Sequence, residues 1–125
     1  MRLSKKVLKK RFKKFNEKYF NGYLVEPKFV IGGSKWTAGE FKCRYYTDYE
    51  DGKEYATELV NLKIYFSKRL IKNSKILDDI MLHEMIHYYG YYMNYDIDGE
   101  HGDYFLGIAE QINKDGYEVQ EYYVG

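Results

Sequence analysis

His83-Glu84-Met85-Ile86-His87 sets two imidazoles four positions apart, with a carboxylate directly after the first. On a helix, His83 and His87 share one face a turn apart and can reach a single divalent ion, while Glu84 lies about 100° around the axis from His83. Zinc takes imidazole nitrogen at roughly 2.0 to 2.1 Å, and a catalytic site keeps three protein ligands and one open position for water. A carboxylate beside that position can accept a proton as metal-activated water attacks a peptide carbonyl, then pass it to the leaving nitrogen. Glu84 is therefore the candidate catalytic acid/base, and His83 and His87 are candidate metal ligands. Two core histidines bonded only to backbone would be the plainer reading. It would bury several polar groups on an apolar helix to no purpose.

A third donor is required. Cys43 is the only cysteine, which rules out an internal disulfide and a four-thiolate site, so histidines and carboxylates must hold any metal. After His87 the chain reads Tyr88-Tyr89-Gly90-Tyr91-Tyr92-Met93, and Met93 stands where a metzincin would need its third histidine, which excludes that class. The remaining histidine is His101, flanked by Gly99 and Gly102, which allow a sharp reversal toward the metal. Glu100, Asp103 and Glu110 are the alternatives, because carboxylates also serve as third ligands. One Zn2+ per chain is expected, although imidazole sites also accept cobalt, nickel or copper.

The element carrying the pair is a helix starting at an N-cap Ser74 and running to about Asn94. Ile76, Leu77, Ile80, Met81, Leu82, Met85 and Ile86 cover most of its circumference, so it belongs in the interior. Leu3, Val7, Leu8, Phe12, Phe15, Tyr19 and Phe20 trace the stripe of a first helix over about 4–21, capped by Ser4 and closed by Asn21-Gly22. Extended segments are expected over 24–31, 36–47 and 55–66, with Asp51-Gly52 turning a hairpin between the last two. Val60, Leu62, Ile64 and Phe66 alternate on one face, with Leu59 and Tyr65 opposite. Pro27 suits an edge or a bulge. A polar loop over 95–102 leads to a short third helix around Tyr104, Phe105, Ile108 and Ile112, and the tail 117–124 reads as extended. These elements predict one α+β domain over 1–125, its helices packed on a small, mostly antiparallel sheet, a zincin-like arrangement with the metal between the active helix and the His101 loop.

The 125 residues suffice for one core without disulfide staples, and 45% hydrophobic with 31% charged residues is ordinary globular usage. The absence of a long apolar run argues against a membrane span or a secretory leader, so a cytoplasmic protein with no membrane partner is expected, as a monomer. The net charge of +1 hides a dipolar molecule: residues 1–18 carry +8 and the other 107 carry −7. Lys5, Lys6, Lys9, Lys10, Lys13 and Lys14 line the solvent side of the first helix. They form either a solvated polar face or a contact surface for phosphates, as in DNA.

With these motifs in place the chain resembles the SprT-like zinc metallopeptidases, a family that includes the eukaryotic Spartan, which cleaves proteins crosslinked to DNA. Leu82 to Tyr88 resembles the family's core motif, and Gly99-Glu100-His101-Gly102-Asp103-Tyr104-Phe105 resembles its third-ligand segment. Tyr19-Phe20-Asn21-Gly22, Trp36-Thr37-Ala38-Gly39, Leu62 to Leu70 and Ile112-Asn113 are similar to further family segments. The resemblance implies His83, His87 and His101 as zinc ligands, Glu84 as the catalytic residue and a protein or peptide substrate. With one cysteine, the zinc ribbon that many relatives carry is not expected. Two other readings compete: a DNA-binding module with a structural metal and a vestigial peptidase site, and a peptidase with no nucleic-acid role.

Overall fold

Helix α1, Lys5–Tyr19, starts where the Ser4 hydroxyl accepts the Val7 amide at 3.2 Å, as the sequence predicts. Its apolar face buries Leu8, Phe12 and Phe15, while Lys5, Lys6, Lys9, Lys10, Lys13 and Lys14 are all exposed. Asn21 (φ 53°) and Gly22 (φ 71°) turn the chain out of the helix in left-handed conformations that these two residue types tolerate. The computed structural model describes residues 2–93 and 102–120. Gly99, Glu100 and His101, together with most of the expected polar loop, lie outside the described residues.

Strands β1 (Lys28–Gly32), β2 (Gly39–Glu50) and β3 (Lys53–Ser67) form one sheet in the order β1-β3-β2. The hairpin forms as expected: Asp51 (φ 52°) and Gly52 (φ 77°) are the two positive-φ residues of a two-residue turn, and β2 pairs antiparallel with β3. β1 pairs parallel with β3 over Lys28–Gly32, so the sheet is mixed, while the longer β2–β3 ladder keeps it mostly antiparallel as expected. The chain leaving β1 crosses to the far side of β3 before it pairs, and β1 is left on the other edge running in the same direction. That crossing also delays β2. Ser34 Oγ accepts the amides of Trp36 at 3.1 Å and Thr37 at 3.0 Å, which holds those residues in a turn, and pairing begins only at Gly39. Pro27 falls just before β1, an edge strand.

A bulge in β3 changes which side chains face the core. Between the pairs Lys42↔Lys63 and Arg44↔Val60 the third strand has one residue more than the second, and Asn61 takes φ 54° there. Strict alternation would put Leu59 opposite Leu62. With the extra residue, both line the same groove beside Tyr88 and pack on the core, while Val60 and Asn61 join Arg44 and Tyr46 on the other side.

Helix α2, Ser74–Tyr92, is capped by Asn73, whose side chain accepts the Ile76 amide at 2.9 Å. Ser74, the expected cap, is instead the first helical residue, and its hydroxyl accepts Arg11 Nη2 at 2.7 Å, next to the Arg11–Asp78 ion pair. Leu77, Ile80, Met81, Leu82, Met85 and Ile86 are buried around the whole helix, which touches α1, β2, β3 and α3 (Asp103–Asn113). Among the described residues no helix is long and apolar enough to cross a membrane.

Candidate metal centre

His83 and Glu84 are each 6% exposed at the middle of α2. His83 Nε2 and His87 Nε2 approach to 3.2 Å, so the two imidazoles aim at one point from successive turns. Two nitrogens at tetrahedral angles on one zinc would stand about 3.3 Å apart, given zinc–nitrogen lengths of 2.0 to 2.1 Å. The pair therefore fits two corners of such a site. Phe105 of α3 packs against both rings, at 4.9 Å from His83 and 5.1 Å from His87 between centroids, and closes the apolar wall around them.

Glu84 is held from the sheet. Its Oε1 accepts the Phe41 amide of β2 at 2.9 Å, and its Oε2 lies 4.0 Å from His83 Nε2. One oxygen is anchored while the other faces the nitrogen that would bind the ion. Burial pushes the carboxyl up to about 8, against the lowering effect of the Phe41 amide and with a smaller push from Glu40. In the metal-free protein at neutral pH the group is thus largely protonated.

The approach of β2 to α2 depends on Gly39. A Cβ there would lie 2.6 Å from Ile80 Cγ2 and 3.3 Å from Glu84 Oε2. Two residues along, the Phe41 ring stacks on Tyr88 at 5.0 Å, and the Tyr88 hydroxyl donates to the Val25 carbonyl at 2.9 Å and accepts the Val25 amide at 3.1 Å. The sequence alone does not reveal the Phe41 amide, since a backbone donor leaves no residue signature. Gly39 left a weak signal: a glycine within a strand marks close approach.

His83 Nδ1 contacts the Gln120 carbonyl oxygen at 2.6 Å. A carbonyl can only accept, so Nδ1 carries the proton and Nε2 carries the lone pair, turned toward His87 Nε2. Of the expected third donors, His101 and Glu100 lie outside the described residues. Asp103, at the start of α3, and Glu110 are exposed, and among the described residues no three His, Cys, Asp or Glu side chains form a metal-sized cluster.

The class is thus an α+β fold, with three helices and a small mixed sheet among the described residues, and two imidazoles and an anchored carboxylate on a buried helix. The model of the SprT-like family matches residues 8–123, nearly the whole chain. The chain belongs to the SprT-like family, which is associated with metallopeptidase activity and with zinc. None of the curated proteins matches it.

Proposed function

We propose that this protein is a zinc-dependent metalloendopeptidase in which His83, His87 and His101 hold the metal and Glu84 moves the proton. The observation that carries this reading is the pairing of two converging Nε2 atoms at 3.2 Å with a carboxylate oxygen 4.0 Å from one of them. Phe105, four residues after His101, lies against both imidazoles, which supports the His101 segment as the source of the third ligand. Zinc, when bound, supplies Lewis-acid polarisation of the scissile carbonyl and makes water acidic near neutral pH. Glu84 takes the proton from the attacking water on Oε2, while the Phe41 amide keeps Oε1 fixed, and then delivers that proton to the leaving nitrogen. The Glu84 carboxyl, raised by burial, would return toward its basic form beside a cation held by the histidines.

Purified protein should contain about one zinc per chain, measured by elemental analysis. Glu84→Gln keeps an oxygen for the Phe41 amide and should retain the metal while lowering peptidase turnover by roughly 10²- to 10⁴-fold, the usual share of a general acid/base. Equal turnover by both proteins would reject the mechanism.

The substrate class we propose is protein associated with or crosslinked to DNA. Six exposed lysines on one helix favour it, giving a surface able to meet phosphates. Neutralising Lys5, Lys6, Lys9, Lys10, Lys13 and Lys14 should abolish salt-sensitive DNA binding. Binding that survives Glu84→Gln in a protein without peptidase activity would favour the DNA-binding module, and cleavage indifferent to DNA would favour a peptidase with no nucleic-acid role.

A further inference from the structure

We infer that Asp79 and Asn113 are positioning residues for His83, acting through the backbone of residues 118–120. This rests on the reading of His83 as a metal ligand. The three residues are held in alternation by the two helices that flank them. The Glu118 amide donates to Asp79 Oδ1 at 3.0 Å. The Val119 amide donates to Asn113 Oδ1 at 2.8 Å, and Asn113 Nδ2 donates back to the Val119 carbonyl at 3.0 Å. The Gln120 carbonyl then accepts from His83 Nδ1 at 2.6 Å.

The spacing explains why these side chains act as one device. Asp79 and His83 are four apart on α2 and project from one face a turn apart. The Glu118 amide and the Gln120 carbonyl both turn to α2, while both backbone polar groups of Val119 turn to α3. α2 therefore takes the outer two residues and α3 takes the middle one. Tyr117 anchors the near end between the rings of Phe15 and Tyr19, at 5.6 and 6.3 Å. Lys75 braces Asp79 at 3.6 Å and Glu118 at 3.4 Å.

The product of this strap is a fixed carbonyl oxygen. An imidazole turns readily about its last torsion and exists as two tautomers, so a ligand histidine needs an acceptor on its second nitrogen to present the other as a lone pair. In most metal sites a side chain or local carbonyl does this. Here the acceptor comes from a segment 37 residues further along the chain, and its position is only as good as the grip of Asp79 and Asn113.

Two measurements test this. In metal-free protein, long-range proton–nitrogen NMR should show the His83 ring as the Nδ1-protonated tautomer, and Asn113→Ala and Asp79→Ala should each disperse that signature. With Zn2+ alone as the probe in chelator competition, each variant should weaken binding roughly 10- to 100-fold. Asp79→Asn, which keeps an acceptor for the Glu118 amide, should restore both. Asn113→Asp keeps the acceptor for Val119 but loses the donor, and is the milder break should Asn113→Ala not fold. An unchanged tautomer, or unchanged zinc affinity in folded variants, overturns the inference. Absence of zinc binding by the wild type with the tautomer effects intact would overturn the ligand reading while leaving the strap in place.

Discussion

Asn16 of α1 and Glu84 of α2 are both buried polar side chains on apolar helix faces, yet they are satisfied in opposite ways. Asn16 is closed: its Nδ2 donates to the Leu24 carbonyl at 2.8 Å, and its Oδ1 accepts the Leu24 amide at 3.1 Å. The amide carries no charge and fastens the chain that leaves α1 for the sheet. Glu84 is open: one oxygen is tied to the Phe41 amide, and the other faces the His83 nitrogen that we propose binds the metal. Here the polar group that builds the fold is neutral and reciprocated, whereas the one proposed to do chemistry is chargeable and has an oxygen outside the Phe41 bond. Asn113 repeats the Asn16 bracket six residues upstream of its target instead of eight, but its target is the strap that reaches His83.

The largest effect that separates the two should be a pH dependence belonging to Glu84 alone. Its folded-state value of about 8 lies above the ordinary 4.5, so from about pH 4.5 upward the unfolded chain loses this proton while the folded, metal-free protein keeps it. Unfolding is therefore favoured as pH rises through that window, and the loss levels off above pH 8. It amounts to about 3–5 kcal/mol of metal-free stability. Denaturant melts of chelated protein at pH 5 and pH 8.5 should show this decline in the wild type. Glu84→Gln should lack it. A matching decline in the variant would mean that the openness of Glu84 is not its source.

Next in size is Asn16→Ala, which strips both partners from the Leu24 backbone and should cost about 2–3 kcal/mol at every pH. Zinc affinity should be unchanged, since both bonds of the Asn16 side chain go to the Leu24 backbone and neither goes to an imidazole. Asn113→Ala breaks the same kind of bracket and should move affinity as well. Equal effects of the two variants on zinc would erase the distinction between them.

The residue types announced the site sooner than they announced its supports. His83, Glu84 and His87 are readable from spacing because a helix converts a four-residue interval into a shared face, and the helix itself is readable from its apolar circumference. The hairpin followed from Asp51-Gly52 for an equally local reason. The parallel partner of β3 did not, since it depends on where the chain crosses between Gly32 and Gly39, and no side chain encodes that. The face reversal at Asn61 was hidden because one extra residue breaks a period of two without changing composition. The Gln120 carbonyl and the Phe41 amide were invisible for the same reason: both are backbone atoms delivered by tertiary packing. Their side-chain holders, Asp79 and Asn113, look like ordinary polar residues until the strap is in place.

The smallest of these perturbations probes the open side of the comparison directly. Gly39→Ala adds one methyl where β2 meets α2, within 2.6 Å of Ile80 Cγ2 and 3.3 Å of Glu84 Oε2. The Ile80 methyl can give way only in part, because Ile80 is buried, so β2 must move off the helix at a cost of about 1–3 kcal/mol. That displacement lengthens the Phe41–Glu84 bond and frees Oε1, while the two imidazoles stay on the undisturbed helix. The expected pattern is therefore reduced turnover with zinc affinity retained, in contrast to the strap variants, which lose affinity. Turnover unchanged in a folded Gly39→Ala protein would show that the amide anchor on Oε1 does not govern how Glu84 handles the proton.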